Sequence, residues 1–492
     1  MTGTRNYLAV DLGAESGRTI VGSLEDGRLS LTETHRFANA SVRLPDGLQW
    51  DVLRLWSEIK AGVGISASKF EESLDSIGLD TWGVDFALLD GQGALLSNPF
   101  HYRDHRTAGM LEEAFRRMPR AEIFANTGIQ FMQINTLYQL LAMSLQNSPL
   151  FAIAKTFVTI PDLFNYWLSG EIANEFTNAT TTQCFDPRKR AWAAPVLNAM
   201  NIPSHLFLPV TEPGTVIGGL LPRLAEETGA GGARVVVPAC HDTGSAVVAV
   251  PAQNQDFAWL SSGTWSILGA EVREPCVNDK ALEYNFTNEG GVCGTWRLSK
   301  NIMGLWLIQE CKRTWAYQGE DLAYDEIARL AAEAKPFLAV IDPDDDRFLH
   351  PGDMSERIRA YCTETDQTVP QTKGQILRVA LESLALKYRL VLERLEELAG
   401  KRFDPIHIIG GGTKNRLLNQ FTADAARRTV ITGPVEATAI GNVLMQAVGL
   451  KHLDSLTEAR QVVRQSFTPE VYEPKNTAGW EEAYSRLKRV MN

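Results

Sequence analysis

The feature that most constrains the fold is a strand-and-turn pattern that occurs once in each half of the chain. The apolar residues 7–10 lead into a small-residue turn with Ser-Gly at positions 16–17, after which the strand pattern resumes. Residues 257–260 lead in the same way into a turn with Ser-Gly at positions 262–263. A matching pair of this kind indicates a duplicated two-domain fold with a cleft between the domains.

Length and charge narrow the function classes. The chain has 492 residues, and at roughly 150 residues per domain this predicts two large domains or three medium ones. Hydrophobic residues make up 44% and charged residues 22%, the proportions of an ordinary globular protein. Lys and Arg number 48 and Asp and Glu number 59, which gives a net charge of −11. We therefore expect no nucleic-acid partner and no anionic membrane surface, since both call for a basic footprint.

Further sequence features predict the cellular location of the protein. No apolar run approaches the ~18 residues that a membrane span needs, and the first residues lack the apolar core of a signal peptide. These observations predict a cytoplasmic chain. The six cysteines are scattered without a Cys-x-x-Cys pair, which favours reduced thiols over disulfides or structural zinc.

The periodicity of apolar residues predicts the main elements. We expect three strands within the first 37 residues, a helix that begins near Val52 with Asp51 as its N-cap, and one strand over residues 77–89. We also expect a helix over residues 302–307 and a long helix over residues 375–398.

Glycine-bearing turns follow apolar runs at residues 13–17, 83, 263 and 410–412. Small residues let backbone N–H groups approach phosphate oxygens and form an anion-binding nest, although glycine also serves any tight turn. There is no Gly-x-x-x-x-Gly-Lys-Ser/Thr loop, no Gly-x-Gly-x-x-Gly after the first strand and no Gly-x-Ser-x-Gly elbow. Turns distributed over both halves favour a nucleotide held in a cleft between domains.

Asp242 follows the valine-rich residues 234–239, at the end of a predicted strand, where α/β sheets place ligands. With an ordinary pKa of about 3.9 its carboxyl is ionised at neutral pH and can accept a proton from a substrate hydroxyl. The alternative is that Asp242 and Thr243 only cap the next helix.

Five other polar residues have two interpretations each. Asp11 either organises a magnesium ion through water or caps a turn. Arg18 either pairs with a phosphate or is a surface charge. Asp80 and Asp85 flank a Trp-Gly pair, and they either contact sugar hydroxyls or form a turn and an exposed strand face. Asn301 is a helix N-cap, a polar hook for a sugar, or both.

The ordered set of motifs resembles the FGGY carbohydrate kinases from about residue 7 to residue 450. The motifs that carry the resemblance are residues 11–18, 80–86, 178–183, 241–243, 260–266, 300–306 and 410–412. The resemblance implies an α/β, two-domain, actin-like ATPase (ribonuclease H-like) fold with ATP in the interdomain cleft. It implies an N-terminal sugar-binding domain over residues 1–248 and a C-terminal nucleotide-binding domain over residues 249–450. Residues 451–492 would form a C-terminal segment, with packing against the N-terminal domain as one option.

Within the family, the runs at residues 81–86 and 300–306 point to members that phosphorylate L-rhamnulose. The resemblance then implies transfer of the γ-phosphoryl group of ATP, with Mg²⁺, to O1 of L-rhamnulose, in L-rhamnose catabolism. It assigns Asp242 as the catalytic base and Asp11 as a residue that organises the metal through water. The sugar-binding residues it implies are Gly83, His241, Asp242, Thr243 and Asn301. The ATP-binding residues it implies are Gly13, Ala14, Glu15, Ser16, Gly17, Thr264, Gln309 and Gly411.

One position departs from the family pattern. Many sugar kinases have a small hydroxyl residue where this chain has Glu15, and a carboxylate repels phosphates unless it faces solvent or the metal. Two alternative functions stay open at this point. One is a kinase of the same family for L-fuculose, D-xylulose or L-ribulose, and the other is an actin-like ATPase that is not a kinase. The oligomeric state is also left open.

Overall fold

The computed structural model describes residues 3–71, 73–475 and 478–491 and contains two compact units. The first unit is formed by the described parts of Met1–Pro251, Glu271–Leu298 and Glu436–Thr468, and the second by those of Ala252–Ala270, Ser299–Val435 and Pro469–Asn492. Residues 1, 2, 72, 476, 477 and 492, which fall within the predicted domain ranges, lie outside the described residues. The domain ranges 1–248, 249–450 and 451–492 stay a prediction.

The first unit is built on a six-stranded mixed sheet. Its strands follow the order Thr215–Gly219, Arg234–Val237, Leu74–Thr81, Arg5–Leu12, Ser16–Glu25 and Arg28–Ala38. The last three form the predicted antiparallel meander, which is thereby confirmed. The second, third and fourth strands in this order run parallel, so their carboxyl ends lie at one edge of the sheet. This edge carries the polar residues that follow the strands.

Both faces of this sheet are covered, which explains why Arg5–Leu12 is buried along nearly its whole length. On one face lies the helix Val52–Lys69, whose apolar stripe is buried and whose N-cap Asp51 accepts the N–H of Arg54, as predicted. On the other face lies the helix Ala437–Gly449.

The first unit has further elements outside the six-stranded sheet. Its other strand pairs are Ser41–Leu44 with Gly47–Trp50, Phe86–Leu89 with Thr156–Thr159, and Phe185–Asp186 with Ala191–Trp192. The strand Thr287–Gly290 also belongs to it. Its α-helices are Val52–Lys69, Met110–Arg117, Arg120–Thr127, Thr136–Leu145, Leu150–Ile153, Ile160–Ser169, Phe176–Ala179, Ala194–Ala199, Pro222–Thr228, Asp242–Val248, Asp279–Glu283, Ala437–Gly449 and Leu456–Ser466.

The second unit contains most of a seven-stranded sheet. The strand order is Thr287–Gly290, Trp296–Met303, Trp265–Val272, Ala258–Ser262, Ile406–Ile409, Val430–Thr432 and Val471–Tyr472, and the last four strands lie wholly within this unit. Its α-helices are Trp306–Tyr317, Tyr324–Glu333, Met354–Glu364, Lys373–Ala399, Arg416–Ala426 and Ala478–Val490. The long helix confirms the prediction for residues 375–398; it begins in a capping box at Thr372 and ends at Gly400, which has a φ of +65°.

Two predicted elements are wrong. The strand predicted over residues 77–89 breaks at residues 82–85, where Val84 has a φ of +69°, because the Asp85 carboxyl is held by side chains from other elements. The helix predicted over residues 302–307 begins only at Trp306, and Asn301 lies in a strand rather than at a helix N-cap. Among the described helices, none combines the length and apolar character that crossing a membrane requires.

Candidate active site

Asp242 lies at the carboxyl edge of the first unit's parallel strands. The N–H of Thr81 donates to the carbonyl of Cys240 at 2.9 Å, which fixes the segment that follows the strand Arg234–Val237. His241 is the N-cap of the next helix and Asp242 is its first residue. Asp242 is therefore not the N-cap residue of this helix.

The two oxygens of the Asp242 carboxyl have different surroundings. Oδ1 accepts the N–H of Thr243 and, at 3.1 Å, its hydroxyl, and Nε2 of His241 lies 3.4 Å away. Oδ2 has no partner among residues 3–71, 73–475 and 478–491, and the side chain is 34% exposed. Burial raises the pKa of this carboxyl. Oδ2 is thus the oxygen that can take a proton from a bound hydroxyl.

Two further carboxyls face each other across the neighbouring parallel strands. Asp11 stands opposite Asp80 in register. Arg18 donates to Oδ2 of Asp11 from Nε at 3.0 Å and from Nη2 at 2.8 Å, and it also pairs with Glu436. Arg18 is therefore an ion-pair residue of the site wall.

Asp80 is fully buried. Its Oδ2 accepts the Nδ2–H of Asn442 at 2.6 Å, and its Oδ1 has no hydrogen-bond partner within the described part of the chain. Burial, and then the charge of Asp11, raise the pKa of Asp80 well above its ordinary value. This carboxyl is out of reach of a sugar, so the interpretation of Asp80 as a sugar contact is wrong.

The donor groups of the site limit how a divalent metal ion could be held. In the described part of the chain, no group of three or more His, Cys, Asp or Glu side chains is arranged to hold a metal directly. Asp11 leaves Oδ1 outside its ion pair with Arg18, and a carboxylate oxygen is what a hard cation binds. The residues fit a metal that is held mainly by other ligands and reached from Asp11 through water.

The turn over residues 13–17 is closed by the N–H of Gly13, which donates to the carbonyl of Ser16 at 2.9 Å. Asn39 buttresses this turn, since its Nδ2 donates to the carbonyl of Gly13 at 2.8 Å. Gly17 has no room for a side chain because a Cβ there would lie 2.3 Å from the ring of Phe37. Glu15 is exposed, so its carboxylate faces solvent and leaves the backbone of the turn unobstructed.

Gly83 lies in the turn that breaks the predicted strand. Thr181 Oγ1 accepts the N–H of Val84 at 3.1 Å, and a Cβ on Gly83 would lie 3.0 Å from the same oxygen. Asp85 supports this turn by accepting the indole N–H of Trp50 at 2.6 Å and that of Trp82 at 2.9 Å. Because Asp85 is buried, its pKa rises to about 6. Its contacts make it a structural anchor, not an exposed strand residue.

Two residues that the sequence did not single out complete the surroundings of His241. Arg297 Nη2 lies 3.0 Å from Nδ1 of His241 and 3.1 Å from Oε2 of Glu289. Burial opposes ionisation of Glu289, but the guanidinium of Arg297 beside it lowers its pKa to about 2. The only sequence signal was an arginine between Trp296 and Leu298 in a strand that is otherwise apolar at this point.

The second unit brings together three of the predicted ATP-binding positions. The carbonyl of Thr264 accepts the N–H of Trp306 at 3.1 Å, so this turn adjoins the helix that carries Gln309. The turn with Gly411 packs on the same strand end, because a Cβ on Gly412 would lie 2.0 Å from Oγ of Ser262. A Cβ on Gly411 would meet no described atom within 4 Å, which leaves its backbone open to a ligand.

Asn301 also belongs to the second unit. It lies near the end of the strand Trp296–Met303, and the N–H of Met303 donates to Oδ1 of Asp344 at 2.8 Å. Asp344 in turn pairs with the buried Lys387 at 2.9 Å. The segment between Asn301 and the helix of Gln309 is thus anchored by a buried ion pair.

Comparison with protein families decides what kind of protein this is. Residues 6–249 match the N-terminal domain and residues 258–450 the C-terminal domain of the FGGY family of carbohydrate kinases. The chain is 43% identical over 487 residues to a rhamnulokinase from Bacteroides thetaiotaomicron, covering 99% of both chains. The chain belongs to the FGGY family of carbohydrate kinases. It is thus a phosphotransferase that uses ATP and a divalent metal ion and acts on a small-molecule sugar, as predicted.

A second curated relative and two solved structures are also similar to this chain. It is 43% identical over 460 residues to a rhamnulokinase from Oceanobacillus iheyensis, which covers 94% of this chain and 96% of the relative. A gluconate kinase structure from Lactobacillus acidophilus matches 100% of this chain and 98% of its own with a TM-score of 0.83 at 14% identity. A xylulose kinase structure from Rhodospirillum rubrum matches 99% and 98% with a TM-score of 0.80 at 18% identity. The predicted two-domain α/β, actin-like ATPase fold is confirmed.

Proposed function

We propose that the protein transfers the γ-phosphoryl group of ATP to O1 of L-rhamnulose in cytoplasmic L-rhamnose catabolism. The products are L-rhamnulose 1-phosphate and ADP. The proposed substrate rests on the 43% sequence identity with a rhamnulokinase over 99% of both chains. The chemistry is supported by Oδ2 of Asp242, which lies at the carboxyl edge of the first unit's sheet and has no partner among the residues that the structure describes.

In the proposed reaction, Oδ2 of Asp242 takes the proton of the O1 hydroxyl. As that proton leaves, O1 forms a bond to the γ-phosphorus, and the bond between the γ-phosphorus and the bridging oxygen of ADP breaks. Phosphoryl transfer has a loose transition state, so catalysis rests on positioning and on neutralising charge. The contacts of Thr243 and His241 with Oδ1 hold the carboxyl so that Oδ2 points away from them.

The remaining site residues are proposed in two groups. Gly83, His241, Thr243 and Asn301 bind the sugar. Gly13, Ala14, Glu15, Ser16, Gly17, Thr264, Gln309 and Gly411 bind ATP, the turn over residues 13–17 through its backbone. We propose Mg²⁺ as the divalent ion, reached from Asp11 through water; when bound, it neutralises charge on the phosphates.

A panel of ketoses tests the substrate. ADP release with MgATP is measured for L-rhamnulose, L-fuculose, D-xylulose and L-ribulose. We expect the highest kcat/KM for L-rhamnulose. A higher kcat/KM for another ketose would contradict L-rhamnulose as the substrate and assign that ketose instead. ATP turnover that no sugar affects would contradict the proposed kinase reaction.

A further inference from the structure

A buried series of charged and polar groups connects Glu289 and Arg297, through His241, to the proposed base Asp242. Arg297 is 1% exposed, and its Nε donates to the carbonyl of Gly290 at 2.8 Å. Its Nη2 lies 3.1 Å from Oε2 of Glu289 and 3.0 Å from Nδ1 of His241. On the other side of the imidazole, Nε2 lies 3.4 Å from Oδ1 of Asp242. The order of groups is therefore Glu289, Arg297, His241, Asp242.

The chemistry of these groups restricts where the imidazole proton lies. A guanidinium has donors and no acceptor, so a hydrogen bond between Arg297 and Nδ1 requires Nδ1 to accept. Nη2 carries two hydrogens, one for Glu289 and one for His241. The competing arrangement, in which Nδ1 carries a proton and donates to Glu289, would span 3.4 Å and would direct that proton close to the arginine. The shorter contact favours Nδ1 as the acceptor.

We infer that Arg297, held in place by Glu289, is a positioning residue that fixes His241 in the tautomer with its proton on Nε2. His241 then donates toward Oδ1 of Asp242, together with Thr243. With Oδ1 occupied by donors, the proton of the sugar hydroxyl goes to Oδ2. The last step rests on the proposed function, whereas the tautomer of His241 does not.

The tautomer is tested on the intact wild-type protein. The chain is labelled with ring-¹⁵N histidine, long-range ¹H–¹⁵N spectra are recorded, and the His241 signals are assigned as those that vanish in His241→Gln. We expect Nδ1 of His241 to resonate as an unprotonated ring nitrogen and Nε2 as a protonated one. A protonated Nδ1 would overturn the inference. This readout stands even if the protein acts on a different sugar, so its failure is distinguishable from failure of the proposed function.

The role of Arg297 is tested by the double variant Glu289→Leu/Arg297→Met. Replacing both partners avoids the lone buried charge that a single substitution would leave. We expect the two ring nitrogens of His241 to shift toward the averaged values of a tautomer mixture. We also expect kcat to fall about 10- to 100-fold, the range for losing a hydrogen bond to a charged group, with the KM for ATP unchanged. Unchanged ring shifts would overturn the assignment of Arg297.

A second variant covers the case in which the double variant does not fold. In Arg297→Lys, the ammonium pairs with Glu289 as a point charge and does not reproduce the fixed fork of the guanidinium. We expect the same direction of change in the His241 ring shifts. Ring shifts identical to those of the wild type would contradict the positioning role.

Discussion

At the scale of single residues, the proposed base gives the most direct prediction. Asn at position 242 keeps the size of the side chain, but its amide cannot take the proton from a hydroxyl. We expect Asp242→Asn to lower kcat by about 10²- to 10⁴-fold and to leave the Kd for ATP largely unchanged. ADP release and calorimetric titration with ATP measure the two quantities. The matched control is Asp279→Asn, at an exposed position of the same unit; retained sugar kinase activity in the Asp242 variant would contradict its role.

The pKa of the same carboxyl predicts a pH profile. Burial raises the pKa of Asp242 above its ordinary value, so the folded protein holds this proton to a higher pH. A base acts only when ionised, and kcat/KM should therefore be full above this pKa and fall as pH decreases through it. We expect an inflection on the acid side above the ordinary aspartate value of about 3.9. An inflection at or below that value, measured from kcat/KM against pH, would count against the assignment.

The site residues differ in how far the sequence could predict them. Asp242 and its neighbours were found because a strand that ends in polar residues is a local signal. Glu289 and Arg297 were missed because their meaning comes from contact with His241, which lies far from them in the chain. The exposure of Glu15 likewise depends on how the strands on either side of its turn pair, which its own sequence context does not specify.

At the scale of elements, local sequence patterns predict the helices, but they do not predict where tertiary hydrogen bonds interrupt a strand. The helices Val52–Lys69 and Lys373–Ala399 follow from apolar periodicity and from capping residues near their starts. The break at residues 82–85 does not, because Asp85 is fixed by Trp50 and by Gln139 from elsewhere in the chain. Apolar continuity therefore predicted one strand where tertiary hydrogen bonds make two.

The packing of two helices in the first unit gives a prediction at this scale. The helices Ala437–Gly449 and Asp242–Val248 pack closely, and a Cβ on Gly441 would lie 1.7 Å from the carbonyl oxygen of Ser245. We expect Gly441→Ala to push the helices apart, to cost about 1–3 kcal/mol of stability and to lower kcat, because Asp242 begins the displaced helix. Urea unfolding and ADP release measure both effects.

The control for that substitution is the same change where space exists. Gly64 lies inside the helix Val52–Lys69, and a Cβ there would meet its nearest atom at 3.8 Å, an ordinary contact. We expect Gly64→Ala to be neutral or to stabilise the protein by up to about 1 kcal/mol, since alanine favours helix over glycine. Equal stability of the two variants would show that the close approach at Gly441 does not constrain the helices.

At the scale of the whole molecule, chain order and spatial order differ. The strand-and-turn repeat predicted a two-domain α/β fold. It did not predict that Glu436–Thr468 joins the first unit, where Arg460 pairs with Glu271 at 2.7 Å and Glu436 pairs with Arg18. Such pairs join distant parts of the chain, and the local sequence around one partner does not indicate which residue the other is.

Buried carboxyls make the stability of the first unit depend on pH. Burial raises the pKa of Asp162 to about 7 and that of Glu175 to about 8. Asp162 Oδ1 accepts the N–H of Glu175 at 3.1 Å, and Glu175 accepts the hydroxyl of Thr177 at 2.7 Å. The oxygen of that hydroxyl in turn accepts the N–H of His241 at 3.1 Å, so these carboxyls support the backbone next to the proposed base.

The sign of the pH effect follows from comparing the folded and unfolded chains. Between the ordinary glutamate value of about 4.3 and the folded value of about 8, Glu175 ionises in the unfolded chain before it does in the folded one, so stability falls as pH rises through this window. Glu175→Gln removes the titrating group. We therefore expect the fall in urea midpoint between pH 5 and pH 8 to be smaller in this variant than in the wild type, even if its midpoint at pH 5 is lower through lost hydrogen bonds. Glu274→Gln, at an exposed position, is the control and should keep the wild-type pH dependence; an equal dependence in all three proteins would show that Glu175 does not titrate in this window.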